Sequence, residues 1–470
     1  MKILLISTNN EKLPMPVAPI GAAYLAGMLR SKGYSVNILD LCFVKGDETA
    51  ITDRIRNFKP DVVGISLRNL DNSTAFGNQS YIERLKRLTD TVKSETSAIM
   101  VIGGSGLSTC PEPLLDYLDL DYGIIGEGEV PLLQFVRKLE NRSDLTTIPG
   151  LVFRQGTEIK RNAPDKFVVL DNLPLPAWDM IDLKKYLKHG GYGGIQTKRG
   201  CMFNCIYCNY PVIEGQCYRL RSPELVVDEI EMLHVLHGVK HFFFVDSVFS
   251  FPEHHAKDIC REIIRRGLHI SWEAMTNPRG ITDELVELME RSGCIGVELG
   301  IDSASEEMLF NMGKNFTCDD IAKTAKLYKR YGIPFSVYLL LGGPGETDQT
   351  IKDTVDFLDQ IEQPNQVLMN FGIRGYAGTP LAAAAVKESR IENEDQLLHA
   401  VTYVSKELKN DYFPVLDSYC HSRLHWSNAT DWNSPISGLM MKIAQILKLR
   451  PFWKNAKILG YIRKLRGVFA

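Results

Sequence analysis

Residues 199–208, Arg199-Gly-Cys-Met-Phe-Asn-Cys-Ile-Tyr-Cys208, put three cysteines on one short loop. The spacing CxxxCxxC lets three thiolates hold three irons of a cubane 4Fe–4S cluster and leaves the fourth iron without a protein ligand. An open coordination position is what chemistry requires, as it is at catalytic zinc. Ferredoxins close the cluster with a fourth nearby cysteine, whereas the next one here, Cys217, stands nine residues further on. A zinc knuckle or three unrelated core thiols is the other reading of such a run. Zinc sites usually come as paired CxxC or CxxH units, and no second pair follows.

Outward from this loop, the chain reads as α/β throughout. From residue 194 a strand followed by a helix recurs six times, with strands expected over 194–198, 241–245, 270–274, 295–299, 335–341 and 367–373. Helix starts are marked by Pro223 after Ser222 and by the pair Thr317 and Asp320. Six such units make a partial (β/α)6 barrel, whose active face lies at the carboxyl ends of the strands. The cysteine loop leaves the first strand at that end. Upstream, short apolar runs at 2–7, 35–39, 61–66, 98–103 and 122–125 alternate with helix-length stretches. That pattern is an open, doubly wound, Rossmann-like parallel sheet, and ligands of such sheets sit beyond the strands' carboxyl ends. The loops there are small and polar, with Ser66, Gly103, Gly104, Gly126 and Glu127 as candidate contacts for a large planar ligand approached by backbone. GxGxxG does not follow the first strand, which argues against a dinucleotide. The expected organisation is a Rossmann-like domain over 1–138, a linker with a hairpin turning at Gln155 and Gly156 over 139–190, the barrel over 191–385, and a helical, basic region over 386–470. Trp178, in the Pro-rich linker, is expected to pack the two domains together.

CxxxCxxC with the aromatic Tyr207 before its last cysteine resembles the signature of the radical S-adenosylmethionine (SAM) superfamily. Pro19-Ile-Gly-Ala-Ala-Tyr, Gly103-Gly104 and Gly126-Glu-Gly-Glu resemble the cobalamin-binding domain that precedes many such barrels. The resemblance implies that SAM chelates the open iron and is cleaved by one electron to a 5′-deoxyadenosyl radical. It implies SAM contacts at Tyr207, at Asp246 for the amino group, at Glu298 for the ribose, at Ser303 and Ser305 for the carboxylate, and at Gly342 and Gly343 beside the adenine. Arg219 and Arg221 match the family and could steady the cluster or SAM's carboxylate, or form surface salt bridges. One departure stands out: the first histidine of the chain is His189, so the N-terminal domain has no imidazole to offer cobalt.

The implied activity is a cobalamin-dependent methyltransferase acting on an unactivated carbon of a natural-product or lipid-like substrate, fed by a flavodoxin- or ferredoxin-type electron donor. The alternatives are a cobalamin-independent dehydratase, cyclase or rearrangement enzyme, and a non-catalytic sensor. The 470 residues carry a net charge of −3, which gives no argument for nucleic-acid binding. No apolar run reaches the roughly 18 residues needed to span a bilayer, so a cytoplasmic location with reduced thiols is expected. The cysteines outside the loop read as small buried residues, Cys420 also as a hydrogen-atom or thiolate donor, and His254 and His255 as solvated. Past Asp431 there is no acidic residue, and the basic segment 436–470 either caps the barrel or touches an anionic membrane surface.

Overall fold

In the computed structural model, all residues are described except 76, 166, 409–411, 429–438, 440, 441, 445, 448, 459, 462–470 and the side chain of residue 413. The first sheet runs in the order β2-β1-β3-β4-β5-β6-β7: β1 (Lys2–Ser7), β2 (Ser35–Asp40), β3 (Val62–Ser66), β4 (Ile99–Gly103), β5 (Tyr122–Ile124), β6 (Leu151–Gln155) and β7 (Glu158–Arg161). The first five strands are parallel. The linker hairpin β6–β7 joins antiparallel at the edge instead of standing apart. Successive residues of β1 show why its run is apolar throughout: Ile3 and Leu5 enter one core and Leu4 and Ile6 the other, on opposite faces of the sheet. The strand order reverses between β1 and β3, which puts the ligand crevice there.

The second sheet runs in the order β18-β15-β14-β13-β12-β11-β8 and is parallel throughout. It consists of β8 (Gly193–Ile195), β11 (His241–Phe244), β12 (Ser271–Thr276), β13 (Cys294–Asp302), β14 (Phe335–Leu341), β15 (Gln366–Phe371) and β18 (Trp426–Asn428). Two short antiparallel ribbons complete the strands, β9 (Lys198–Arg199) with β10 (Arg219–Leu220), and β16 (Ile373–Arg374) with β17 (Thr402–Tyr403). The six expected strands are present in order, and the helical expectation for 386–470 is corrected by β17 and β18, the latter being a seventh barrel strand. Thr317 and Asp320 form the anticipated capping box.

Trp178 is the hinge pin of the two domains. It is 1% exposed, lies in the one core that runs from Ile3 to Trp426, and donates its Nε1–H to Glu229 Oε1 at 2.8 Å. The linker around it presses on the helix Ile20–Ser31: Ala177 N–H bonds Ala23 O at 2.9 Å, and a Cβ on Gly27 would stand 2.5 Å from Leu175 O. Among the described residues no helix is long and apolar enough to cross a membrane. Much of the basic segment 436–470 lies outside the described residues. Its turn Phe452–Asn455 closes the barrel, with Trp453 1% exposed and Pro451 and Trp453 filling the space beside Gly296.

Trp178→Ala is expected to destabilise the fold by about 3–5 kcal/mol through the cavity it leaves. Chemical denaturation measures this, and a loss under about 1 kcal/mol contradicts the hinge role.

Candidate active site

The cysteine loop is closed at its base by the β9–β10 ribbon, in which Arg199 pairs with Arg219 and Lys198 with Leu220. Gly200 has φ +88°, and a Cβ there would stand 2.2 Å from Cys217 O, so only glycine turns the chain into the loop. Cys201 N–H bonds Gly215 O at 3.1 Å, and Gly200 N–H bonds Glu214 Oε2 at 3.0 Å. The loop's far side rests on the turn after the helix Glu306–Asn311. There Ile206 N–H bonds Met312 O at 3.1 Å, and a Cβ on Gly313 would lie 2.5 Å from Asn204 O.

Burial raises the Cys205 thiol pKa and pushes that of Cys208 up to about 12; Cys201 adds to both shifts, and Cys205 adds to that of Cys208. All three thiols belong to the one short loop from Cys201 to Cys208. Among the described residues no group of three His, Cys, Asp or Glu side chains converges as it would around one metal ion. A cubane gives each thiolate its own iron, and three cysteines on one short loop fit such a group. Glycine-only backbone at Gly200 and Gly313 supplies the tight cradle.

Asp246 sits directly beneath this loop, 5% exposed. Its carboxylate accepts Thr197 N–H at 2.8 Å, Thr197 Oγ1–H at 2.5 Å and Lys198 N–H at 3.3 Å, with Lys198 Nζ at 3.5 Å. These partners clamp the chain between β8 and Cys201. Ser303 is turned to the helix Asp348–Gln360, its hydroxyl 2.8 Å from Thr354 Oγ1. Ser305 heads the helix Glu306–Asn311, and its N–H bonds Ser303 Oγ at 3.2 Å. Gly342 and Gly343 give their N–H groups to Glu346 Oε2, and Gly343 packs on Met312, the residue that supports the cysteine loop. Tyr207 donates to Asp302 Oδ2 at 2.5 Å.

Glu298 points into the barrel with Glu273 from β12 and Tyr338 from β14. Burial pushes Glu298 up to about 7, against hydrogen bonding from Tyr338 and Trp453, and pushes Glu273 up to about 8, with Tyr192 opposing and the Glu298 charge adding. Neither oxygen of Glu273 makes a hydrogen bond of good geometry.

Across the domain boundary, a cavity of about 360 Å³ opens at the carboxyl ends of β1, β3 and β4. Its floor is Ser66, Gly103, Gly104 and Gly126, and a Cβ on Gly104 would meet Leu67 O at 2.4 Å. A slot lined by Leu5, Gly64, Val101 and Leu132 runs down the sheet face. Its opposite wall comes from the barrel, from Arg199, Tyr210 and Glu214 around the cysteine loop. No histidine lines it. A small-residue floor and an apolar slot fit a broad, flat cofactor with a planar appendage. Arg199 bonds Glu127 Oε1 at 2.9 Å and Glu129 Oε1 at 2.6 Å, and Arg219 bonds Glu127 Oε1 at 2.6 Å. Arg221 bonds Glu229 Oε2 at 2.7 Å. Both Arg219 and Arg221 are thus committed to carboxylates of this chain.

Three sequence expectations are corrected. His255 is 3% exposed, with Nε2 2.8 Å from Arg221 O, because its face of the helix Glu253–Arg265 packs on the barrel. Cys217 is exposed at a bend, and Cys318 is half-buried at the first turn of the helix Cys318–Arg330. Cys420, by contrast, is buried as expected, in the helix Phe413–Ser422. Sequence reasoning missed Glu273, Asp302 and Lys314. Strand alternation with Met275 signals the inward Glu273, whereas nothing in Met312-Gly-Lys-Asn marks Lys314.

These features define two cofactor-type chambers meeting at one loop. The B12 binding domain model matches residues 6–136, and the Radical SAM superfamily model matches residues 195–358. The chain belongs to the radical SAM superfamily and carries an N-terminal B12-binding domain. It is 29% identical over 370 residues to an uncharacterized methyltransferase of Pyrococcus horikoshii, covering 77% of this chain and 78% of that protein. It is likewise 29% identical over 418 residues to the tryptophan 2-C-methyltransferase of Streptomyces laurentii, covering 75% and 70%. The fold superposes on the radical SAM methyltransferase TsrM from Kitasatospora setae, solved with cobalamin and a 4Fe–4S cluster bound, with a TM-score of 0.86, 21% identity and 100% coverage of each chain.

An exposed glutamate titrates near about 4.3. Between that pH and about 8 the folded state holds a proton on Glu273 that the unfolded chain has shed, so stability falls as pH rises through this window and then levels. Glu273→Gln is expected to gain stability on the natural protein as pH rises from 5 to 8, read from denaturant midpoints. A gap that stays constant or closes contradicts this.

Proposed function

We propose that the protein is a cobalamin-dependent radical SAM methyltransferase that alkylates an unactivated carbon of a small molecule. The observation that carries this reading is the shared wall: the cavity at the ends of β1, β3 and β4 is closed by residues of the cysteine loop itself. When bound, the cluster and SAM supply a carbon-centred radical, and cobalamin supplies a transferable methyl group.

The chain's own residues provide the setting. Cys201, Cys205 and Cys208 would hold the cluster through their three thiolates, and SAM would bind beside it. Asp246 fixes the start of the loop through Thr197 and Lys198, so its part in SAM binding is to hold the loop's approach in place. Glu298 faces SAM or substrate from the barrel lumen, its pKa raised by burial to about 7, so that near neutral pH it both donates and accepts. Gly342 and Gly343 present a surface without side chains beside the loop. Ser66, Gly103, Gly104, Gly126 and Glu127 would line the cobalamin side, where no histidine is offered among the lining residues. The closed floor at Trp453 keeps water from the lumen. Electrons come from a low-potential one-electron donor of flavodoxin or ferredoxin type, in a cytoplasmic setting. Peripheral contact of 436–470 with an anionic membrane belongs to the same reading, supported by exposed Ile446 and Leu447.

Anaerobic reconstitution with iron, sulfide and cobalamin tests this. Label from methyl-labelled SAM is expected on the added cobalamin, and 5′-deoxyadenosine is expected under dithionite. Cys205→Ala is expected to lose the cluster absorbance and all 5′-deoxyadenosine. Retention of cluster and cleavage by that variant, or methyl transfer by cobalamin-free protein, overturns the reading.

A further inference from the structure

A cation is buried beside the cysteine loop. Lys314, its side chain 4% exposed, places Nζ 2.5 Å from Asp302 Oδ2, 3.2 Å from Gly300 O and 3.3 Å from the Tyr207 hydroxyl. Its ammonium lies 5.5 Å from the ring centre of Tyr207 and 5.7 Å from that of Phe316. Burying an ammonium is costly unless it is paired and hydrogen-bonded, and every donor direction here is met by oxygen or an aromatic face.

The chain is bent to make this pairing. The register of β13 against β14 shifts between Gly300 and Asp302, and Asp302 adopts φ +64°, a left-handed conformation that residues other than glycine rarely take. Bulges and strained residues gather where a side chain must be re-aimed. Here the bulge turns a carboxylate toward Tyr207, which lies between two of the three cysteines. Lys314 follows Gly313, on which Asn204 of the loop rests. The ammonium thus sits against Tyr207, the residue directly before Cys208, and follows the glycine on which the loop rests.

Resting on the cluster reading above, we propose that Lys314 is a positioning residue that sets the cluster's reduction potential, its buried ammonium, held in place by Asp302 and Tyr207, offsetting the negative charge of the three thiolates. Reduction moves one electron from the donor onto the cluster, with no atom transferred, and adds one negative charge to a site already negative. A fixed cation stabilises the reduced form more than the oxidised one and so raises the potential, since net charge and burial are levers the protein has on such clusters. Removing the cation leaves Asp302 unpaired beside the thiolates and shifts the potential the other way for a second reason.

The test is a redox titration of the reconstituted protein without substrate, followed by the paramagnetic resonance of the reduced cluster, with iron and sulfide content measured on each sample. Lys314→Met is expected to shift the midpoint to lower potential, Asp302→Asn to shift it higher, and Lys314→Arg to stay near the natural protein. Opposite signs from two substitutions in one ion pair are not a consequence of general loosening. A fully loaded Lys314→Met protein with an unchanged or higher midpoint overturns the proposal. If that variant fails to load iron, Asp302→Asn decides: an unchanged or lower midpoint also overturns it. A natural protein that takes up no cluster defeats the functional reading itself, which the iron and sulfide content reveals separately.

Discussion

One buried guanidinium holds the two halves of the chemistry in register. Arg199 stands two residues before Cys201 and is gripped by Glu127 and Glu129, which belong to the loop beyond β5 and the helix that follows it. Tyr24, from the first helix, lies 5.3 Å away across its plane. Desolvating four charges, Arg219 included, is expensive, and such a network is weak evidence of net stabilisation. Breaking it is another matter, because losing Arg199 takes from the buried Glu129 the guanidinium it is paired with, while Glu127 keeps only Arg219. The geometry therefore has one low-energy arrangement, in which the cysteine loop forms the wall of the cavity in the neighbouring domain. A bidentate, planar donor suits that task better than a flexible lysine.

The barrel solves a second problem, how to open at one end and close at the other. Parallel strands deliver their carboxyl ends to the cysteine loop, and Glu273, Glu298 and Tyr338 place carboxyls and a phenol in the barrel below. Pro451 and Trp453 seal the base where Gly296 leaves room. Burial raises both Glu273, to about 8, and Glu298, to about 7, so that near neutrality the first is largely and the second partly protonated. They present hydrogen-bond donors and acceptors with less of the charge that would draw in water.

The fold was largely legible in the sequence because its signals are local: apolar runs of strand length, caps such as Thr317 with Asp320, and three cysteines at fixed spacing. The cavity floor was legible for the same reason, as glycines at strand ends. Pairings between distant residues were not. Nothing in the sequence says that Asp246 spends its carboxylate on Thr197, that Ser303 turns to Thr354, or that Lys314 lies beneath Tyr207. The strand β18 is three residues long and carries no periodicity, and only tertiary pairing with β15 makes it a strand. His255 looked solvated because one histidine beside another carries no facing information until the helix is set against the barrel.

The central claim, that a cluster on the cysteine loop and a cobalamin in the adjoining cavity meet across that loop, is tested most directly by paramagnetic resonance of protein loaded with both. With the cluster reduced and cobalt in its paramagnetic divalent state, the two spins are expected to couple, broadening or splitting both signals relative to protein holding either group alone. Two signals that simply add, from protein shown to contain a full complement of both, would contradict it.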